Sequence, residues 1–157
     1  ILEHESENVN IQIGKLEDNQ INGFTIEIQI LADKAMLGSA LDQIILNAIK
    51  HGKREDKVLN IWLDYTQYLI LEGEIYHEIS IRNDGHPLPP QFSVELYSEL
   101  GGRMGVTGNS GIGGYVISKV VEMHDGKLRA ENLPTGQVEI SILLLTGITM
   151  DEINWTD

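Results

Sequence analysis

From Phe24 the chain alternates, with Phe24, Ile26, Ile28 and Ile30 separated by Thr25, Glu27 and Gln29, the period-two pattern of a strand with one buried face. The alternation stops near Asp33. Over residues 35 to 51, Met36, Leu37, Ala40, Leu41, Ile44, Ile45, Ala48 and Ile49 recur at helical spacing, and Gly52 ends the run, predicting an amphipathic helix. Alternation returns over residues 58 to 65 and, after Glu72-Gly73-Glu74, over residues 75 to 82, which predicts two antiparallel strands. The next segment, Asn83-Asp84-Gly85-His86-Pro87-Leu88-Pro89-Pro90, carries a glycine and three prolines and reads as a loop. A short helix is expected over residues 92 to 100, before residues 101 to 114 place seven glycines in fourteen positions. A second amphipathic helix is expected over residues 115 to 124, stopped by Asp125-Gly126. Residues 127 to 132 and 137 to 145 close the pattern as a hairpin around Leu133-Pro134-Thr135-Gly136.

This order of elements predicts a two-layer α/β (α+β) sandwich, with helices on one face of a mixed, mostly antiparallel sheet. The 157 residues, 41% of them hydrophobic, suffice for one core, and the expected division is a domain over residues 23 to 146. Residues 1 to 22 are polar and acidic, with Val9, Ile11 and Ile13 alternating as a linker or edge segment; residues 147 to 157 form an acidic tail. The chain opens at Ile1 directly into polar sequence, and is expected to be a piece of a longer protein. Its longest apolar stretch, residues 140 to 145, falls far short of the ~20 needed to span a bilayer.

Charge narrows the partners. With 24 acids against 11 bases the formal net charge is -13, so nucleic acid and an anionic membrane surface are disfavoured as direct partners. A bound polyanion needs local rescue, which gives weight to any cation or glycine-rich backbone nest in a cleft. The chain has no cysteine, which excludes disulfides and thiolate metal sites and is compatible with the cytoplasm, including beneath a membrane-anchored parent.

Three constellations carry candidate chemistry. On the first helix Asn47 stands four residues from Gln43, three from Lys50 and four from His51, so these polar groups share a face beside the apolar stripe. A neutral amide oxygen suits magnesium that keeps its waters and phosphate oxygens, a lysine one turn on reaches the same phosphates, and a planar imidazole packs on a purine. In the second, a polar side chain at a strand end, Asn83, is followed by Gly85, where backbone can approach a ligand closely. In the third, the stretch from Gly105 to Gly114 runs into a helix whose free amides favour di- or triphosphate, with Arg103 just upstream. No Gly-Lys-Ser/Thr closes it, and no strand feeds it directly, so it is neither a Walker loop nor a dinucleotide fingerprint. Singly, the three also fit a solvated helix face, an ordinary Asn-Asp-Gly turn and a surface loop.

Their order along the chain resembles the GHKL superfamily, which has the Bergerat-type ATP-binding fold and includes gyrase, heat-shock chaperones, mismatch-repair ATPases and histidine kinases. Leu41-Asp42-Gln43-Ile44-Ile45-Leu46-Asn47-Ala48-Ile49-Lys50-His51 is similar to the family's N-box, and Ile81-Arg82-Asn83-Asp84-Gly85-His86-Pro87-Leu88-Pro89 to its first glycine box. Ser110-Gly111-Ile112-Gly113-Gly114-Tyr115-Val116-Ile117, followed by Val120-Val121-Glu122-Met123-His124-Asp125-Gly126, resembles the second glycine box and helix end of sensor histidine kinases. The resemblance spans residues 24 to 145. It implies that ATP lies between the N-box helix and a lid over residues 91 to 109. Asn47 is then the magnesium ligand, Lys50 a phosphate contact and His51 a wall beside adenine; Asn83 reads the adenine amine, with Gly85 and Leu88 lining the base. Ser110, Gly111, Ile112 and Gly113 meet the phosphates, and Arg103 supplies a cation from the lid.

Four positions depart from the family pattern. Asn83 stands where an aspartate reads adenine, Pro87 and Asn109 replace glycines, and Gln43 replaces the glutamate that activates water in gyrase and the chaperones. Without that base, autonomous ATP hydrolysis is disfavoured, whereas transfer to a neutral histidine on another domain needs positioning and charge neutralisation. The implied activity is therefore that of the catalytic domain of a two-component histidine kinase. Its partners are the dimerisation and phosphoacceptor domain of the same parent and, indirectly, a response regulator. No phosphoacceptor is expected in this chain: the residues after His4 lack the motif, and His77 and His86 read as structural. The alternatives are a non-catalytic nucleotide-binding module and a serine kinase of the anti-sigma type.

Overall fold

A computed structural model describes residues 9–13, 20–21, 24–25, 32–94 and 112–152. The strands are β1 (Val9–Ile13), β2 (Gln20–Ile21), β3 (Phe24–Thr25), β4 (Leu59–Leu71), β5 (Glu74–Asn83), β6 (Lys127–Asn132) and β7 (Val138–Leu145); the helices are α1 (Lys34–Gly52) and α2 (Ile112–Met123), and a 3-10 turn lies at Met150–Glu152. Five strands form one sheet in the order β1-β4-β5-β7-β6, and β2 pairs with β3. Only the β1–β4 pair of the large sheet is parallel. Val9, Ile11 and Ile13 thus belong to an edge strand. The remainder of the strand expected from Phe24 lies outside the described residues, as does most of the helix expected over residues 92 to 100.

Alternation assigns the faces. Leu59 and Ile61 of β4, Ile81 of β5, Ile140, Ile142 and Leu144 of β7 meet Ala40, Ile44 and Ile45 of α1 and Ile117, Val120 and Val121 of α2 in a single core cluster. Both helices therefore lie on one face, as the order of elements predicts. Burying a side chain such as Ile44 or Ile142 contributes about 1.5–3 kcal/mol each. The opposite face carries ion pairs, Arg82 with Asp64 at 2.5 Å and Arg129 with Glu78 at 2.6 Å, mostly part-buried charges that keep that surface polar.

Two boundaries differ from the periodicity. β4 continues past Tyr65, because a register shift between Thr66 and Leu69 inserts a bulge and breaks the alternation that marks a strand. Glu72 and Gly73, both at positive φ (53° and 81°), then turn the chain into β5. α2 starts at Ile112, so Gly113 and Gly114 occupy its first turn instead of the preceding loop.

At the hairpin end, the Tyr65 hydroxyl and His77 Nδ1 are 2.6 Å apart, and the rings stack. Burial, and then Tyr68, push the Tyr65 phenol up to about 12. Burial pushes the His77 imidazole below its ordinary 6.5. Because the folded value lies below the unfolded one, this contribution to stability is complete above pH 6.5 and is lost as pH falls through the folded value.

Three substitutions test the packing. Gly38 has nothing within 4 Å of where a Cβ would sit, so Gly38→Ala is expected to raise the unfolding free energy by about 0.5–1 kcal/mol in urea titrations. At Gly126 a Cβ would lie 2.4 Å from the Leu143 carbonyl oxygen, and Gly126→Ala should lower it by about 1–3 kcal/mol. The unfolding midpoint should be lower at about pH 5.5 than at about pH 7.5, and His77→Gln, which still accepts from Tyr65 without titrating, should narrow that difference.

Candidate functional site

α1 is fixed at its start by Asp33, whose Oδ1 accepts from the Met36 amide at 2.9 Å. The Asp33 amide in turn donates to His124 Nε2 at 2.9 Å, while His124 Nδ1 lies 2.7 Å from the Val120 carbonyl oxygen. These two partners place the histidine proton on Nδ1, and tie the start of α1 to the end of α2. The helices pack side by side, which brings the start of α2 against the middle of α1. There a Cβ on Gly113 would lie 2.6 Å from Gln43 Oε1 and 3.8 Å from Asn47 Oδ1. A side chain at Gly113 would meet the end of Gln43, so the glycine leaves both amide oxygens beside the helix start. The first and third constellations of the sequence are thus one structural unit.

The charge at this junction suits an anion. The first turn of α2 holds no acidic residue, so the partial positive charge of its amides is uncompensated by side chains. Lys50 and His51 occupy the last turn of α1, where both are exposed. Partial burial, and then the charge of Lys50, hold the His51 imidazole below its ordinary 6.5. It therefore presents a mainly uncharged ring at neutral pH.

The second constellation meets the other end of α1. Gly85 packs so tightly on the helix terminus that a Cβ would lie 2.3 Å from the Gly52 carbonyl oxygen. That oxygen accepts from the His86 amide at 3.0 Å, and Arg54 Nη2 donates to the Gly85 carbonyl at 3.3 Å. Asn83, only 5% exposed, accepts the Gly85 amide at its Oδ1, 3.0 Å away. Asp84 points elsewhere: its Oδ1 and Oδ2 accept from the Asn60 amide and Asn60 Nδ2, each at 2.8 Å. Farther along, Leu88 is clasped by Asn132, whose Oδ1 accepts the Leu88 amide at 2.8 Å and whose Nδ2 donates to the Leu88 carbonyl at 3.0 Å. Pro87 stands between two residues whose amides are both bonded, so its missing donor leaves this loop anchored on both sides.

α1 therefore gathers Asn47 and Gly113 at its middle and Lys50, His51, Asn83 and Gly85 toward its end. Arg103, Ser110 and Gly111, and residues 95 to 109 of the expected lid, lie outside the described residues. Sequence reasoning missed Asn132 and Arg54. Asn132 precedes a Pro-Thr-Gly turn and reads as a turn residue; Arg54 sits in a charged stretch that reads as a solvated connection. A shallow depression of about 480 Å³ along Lys34, Ala35, Gly38, Ser39 and Asp42 lies on the earlier half of α1, and holds none of the predicted site residues.

The clasp is testable. Asn132→Ala removes both bonds to Leu88, and should speed hydrogen exchange of the Leu88 amide while lowering global stability by no more than about 0.5–1.5 kcal/mol. Unchanged exchange at Leu88 would show that the loop is held by other contacts.

Residues 32–147 match the family of histidine kinase-, DNA gyrase B- and HSP90-like ATPases. Among curated proteins the sequence gives no match. The catalytic domain of the histidine kinase ThkA, in a nucleotide-free form, superposes with a TM-score of 0.63 at 19% identity, covering 88% of this chain and 79% of that one. The mycobacterial sensor histidine kinase MprB gives 0.62 at 19% identity, over 88% of this chain and 84% of that one. Full-length ShkA in complex with AMPPNP gives 0.61 at 15% identity, and there 87% of this chain covers 25% of the other. The family match covers well over half of the sequence, and the chain belongs to the histidine kinase-, DNA gyrase B- and HSP90-like ATPase family, with the fold of histidine kinase ATP-binding domains.

Proposed function

We propose that this domain binds ATP with magnesium and is the catalytic part of a two-component sensor histidine kinase. It passes the γ-phosphoryl group to a histidine on the dimerisation and phosphoacceptor domain of the same parent, which then serves a response regulator. The observation that carries this reading is the approach of Gly113 to Gln43 and Asn47, which sets neutral oxygens of one helix beside the free amides opening another. Family membership and the shared fold of histidine kinase ATP-binding domains support it. The domain extends over residues 23–146, with residues 1–22 a linker or edge segment and residues 147–157 a tail; pairing of β1 with β4 supports the edge reading for Val9–Ile13.

In this reading Asn47 supplies the oxygen for magnesium. The donor set fits: a neutral amide oxygen is a hard ligand, and the ion would keep its waters and the oxygens of the phosphates it accompanies. Bound there, magnesium would neutralise charge on the triphosphate. Lys50 attracts the phosphates, and the amides of Ile112 and Gly113 receive them, with Ser110, Gly111 and Arg103 completing the contacts. His51 forms a wall beside the base, and Asn83, Gly85 and Leu88 line it. Gln43 cannot accept a proton, so water at this site lacks a base. The neutral nitrogen of an incoming histidine attacks with its own lone pair, forming the N–P bond as the O–P bond to the departing diphosphate breaks. The site works by positioning and charge, in keeping with its amides and cations.

Calorimetric titration with a non-hydrolysable ATP analogue should show magnesium-dependent binding that weakens at least about tenfold in Asn47→Ala. The wild-type domain should then phosphorylate a histidine domain from the same parent supplied in trans. Absence of analogue binding by the folded wild type would contradict the nucleotide site; binding without phosphorylation would contradict the kinase assignment.

A further inference from the structure

Asn83 is buried at the end of β5 on the helix side of the sheet, next to the tightest backbone contact in the site. Its amide orientation is chemically determined. The Gly85 N–H, 3.0 Å away, needs an acceptor, and of the two side-chain atoms only Oδ1 can accept. Nδ2 therefore faces away from Gly85. Among the described residues no acceptor meets Nδ2, and it is not among the buried atoms left without a partner, so it retains access to the surface.

The neighbours do not restore the carboxylate that Asn83 lacks. Asp84 is the only acid in the loop, and both of its oxygens are engaged by Asn60 on β4. Arg54, on the Gly85 carbonyl, adds donors and no acceptor, and its Nε is buried without a partner among the described residues. Against an exocyclic amine, an outward Nδ2 sets donor against donor. Against a carbonyl oxygen at the same place it makes a hydrogen bond.

We propose that Asn83 is a specificity-determining residue that lets the base site accept a 6-oxo purine, the base of inosine or guanosine triphosphate, at least as well as adenine. The proposal rests on the nucleoside-triphosphate site described under the proposed function. It changes which base is admitted and leaves the phosphate-side roles of Asn47, Lys50 and Gly113 as they stand. Inosine is the cleaner probe, because its base differs from adenine at the 6-position and N1 without the additional 2-amino group of guanine.

The test compares magnesium complexes of the β,γ-imido analogues of adenosine and inosine triphosphate by calorimetric titration, on the wild-type domain and on Asn83→Asp. The substitution keeps an acceptor for the Gly85 amide, and the wild-type ratio stands even if the variant proves unstable. The inosine analogue should bind the wild type at least as tightly as the adenosine analogue. Asn83→Asp should swing the ratio toward adenosine by about tenfold or more. A wild-type preference for adenosine of about threefold or more, or a ratio unmoved by the substitution in a folded variant, overturns the assignment. Binding of neither analogue overturns the nucleotide site itself, and this inference with it.

Discussion

The backbone contact between Gly52 and Gly85 is the constraint on which the site depends. A Cβ on Gly85 would enter the space of the Gly52 carbonyl, carbonyl carbon and Cα, all within 2.6 Å. With both side chains absent, the end of α1 docks directly on the loop leaving β5, and His86 closes the contact with a bond to Gly52. This fixes where α1 ends. Its start is fixed by the Asp33 cap and by His124. A helix held at both ends has one rotation and one register, so the placement of Asn47 opposite Gly113 follows from contacts elsewhere along the same helix. Shape at Gly52 and Gly85, more than any ion pair, docks the end of α1 on the loop after β5.

The acidity of the chain makes the local electrostatics more telling. A net charge of -13 opposes a polyphosphate on average. The helix junction answers with uncompensated amides, Lys50 one turn along α1 from Asn47, and neutral oxygens from Gln43 and Asn47. An amide at Gln43 places no negative charge where α2 begins.

Much of this was legible in the sequence. Helical spacing from Met36 to Ile49 and alternation in β5 and β7 gave the two layers, because in those segments burial on one face follows the local period. The order of Asn47, Asn83–Gly85 and Gly113 pointed to one family. What escaped was long-range. β4 outruns its alternation because a bulge changes which residues face inward. α2 begins ahead of its apolar period because glycine disfavours helix locally, whereas packing against Gln43 and Asn47 holds Gly113 in the first turn. Asn132 gave no signal, since its clasp on Leu88 joins positions 44 apart. The amide of Asn83 was visible, but the direction it faces depends on the bond to Gly85.

The central claim is that Asn47, Gly85 and Gly113 belong to a single ligand site. Titrating isotopically labelled domain with a magnesium complex of a non-hydrolysable nucleoside triphosphate, and following backbone amide shifts by NMR, tests it most directly. Saturable shifts at Asn47, Gly52, Gly85 and Gly113, with one common dissociation constant, are expected. Shifts confined to the Lys34–Asp42 depression, or different constants for the two ends of α1, would contradict it.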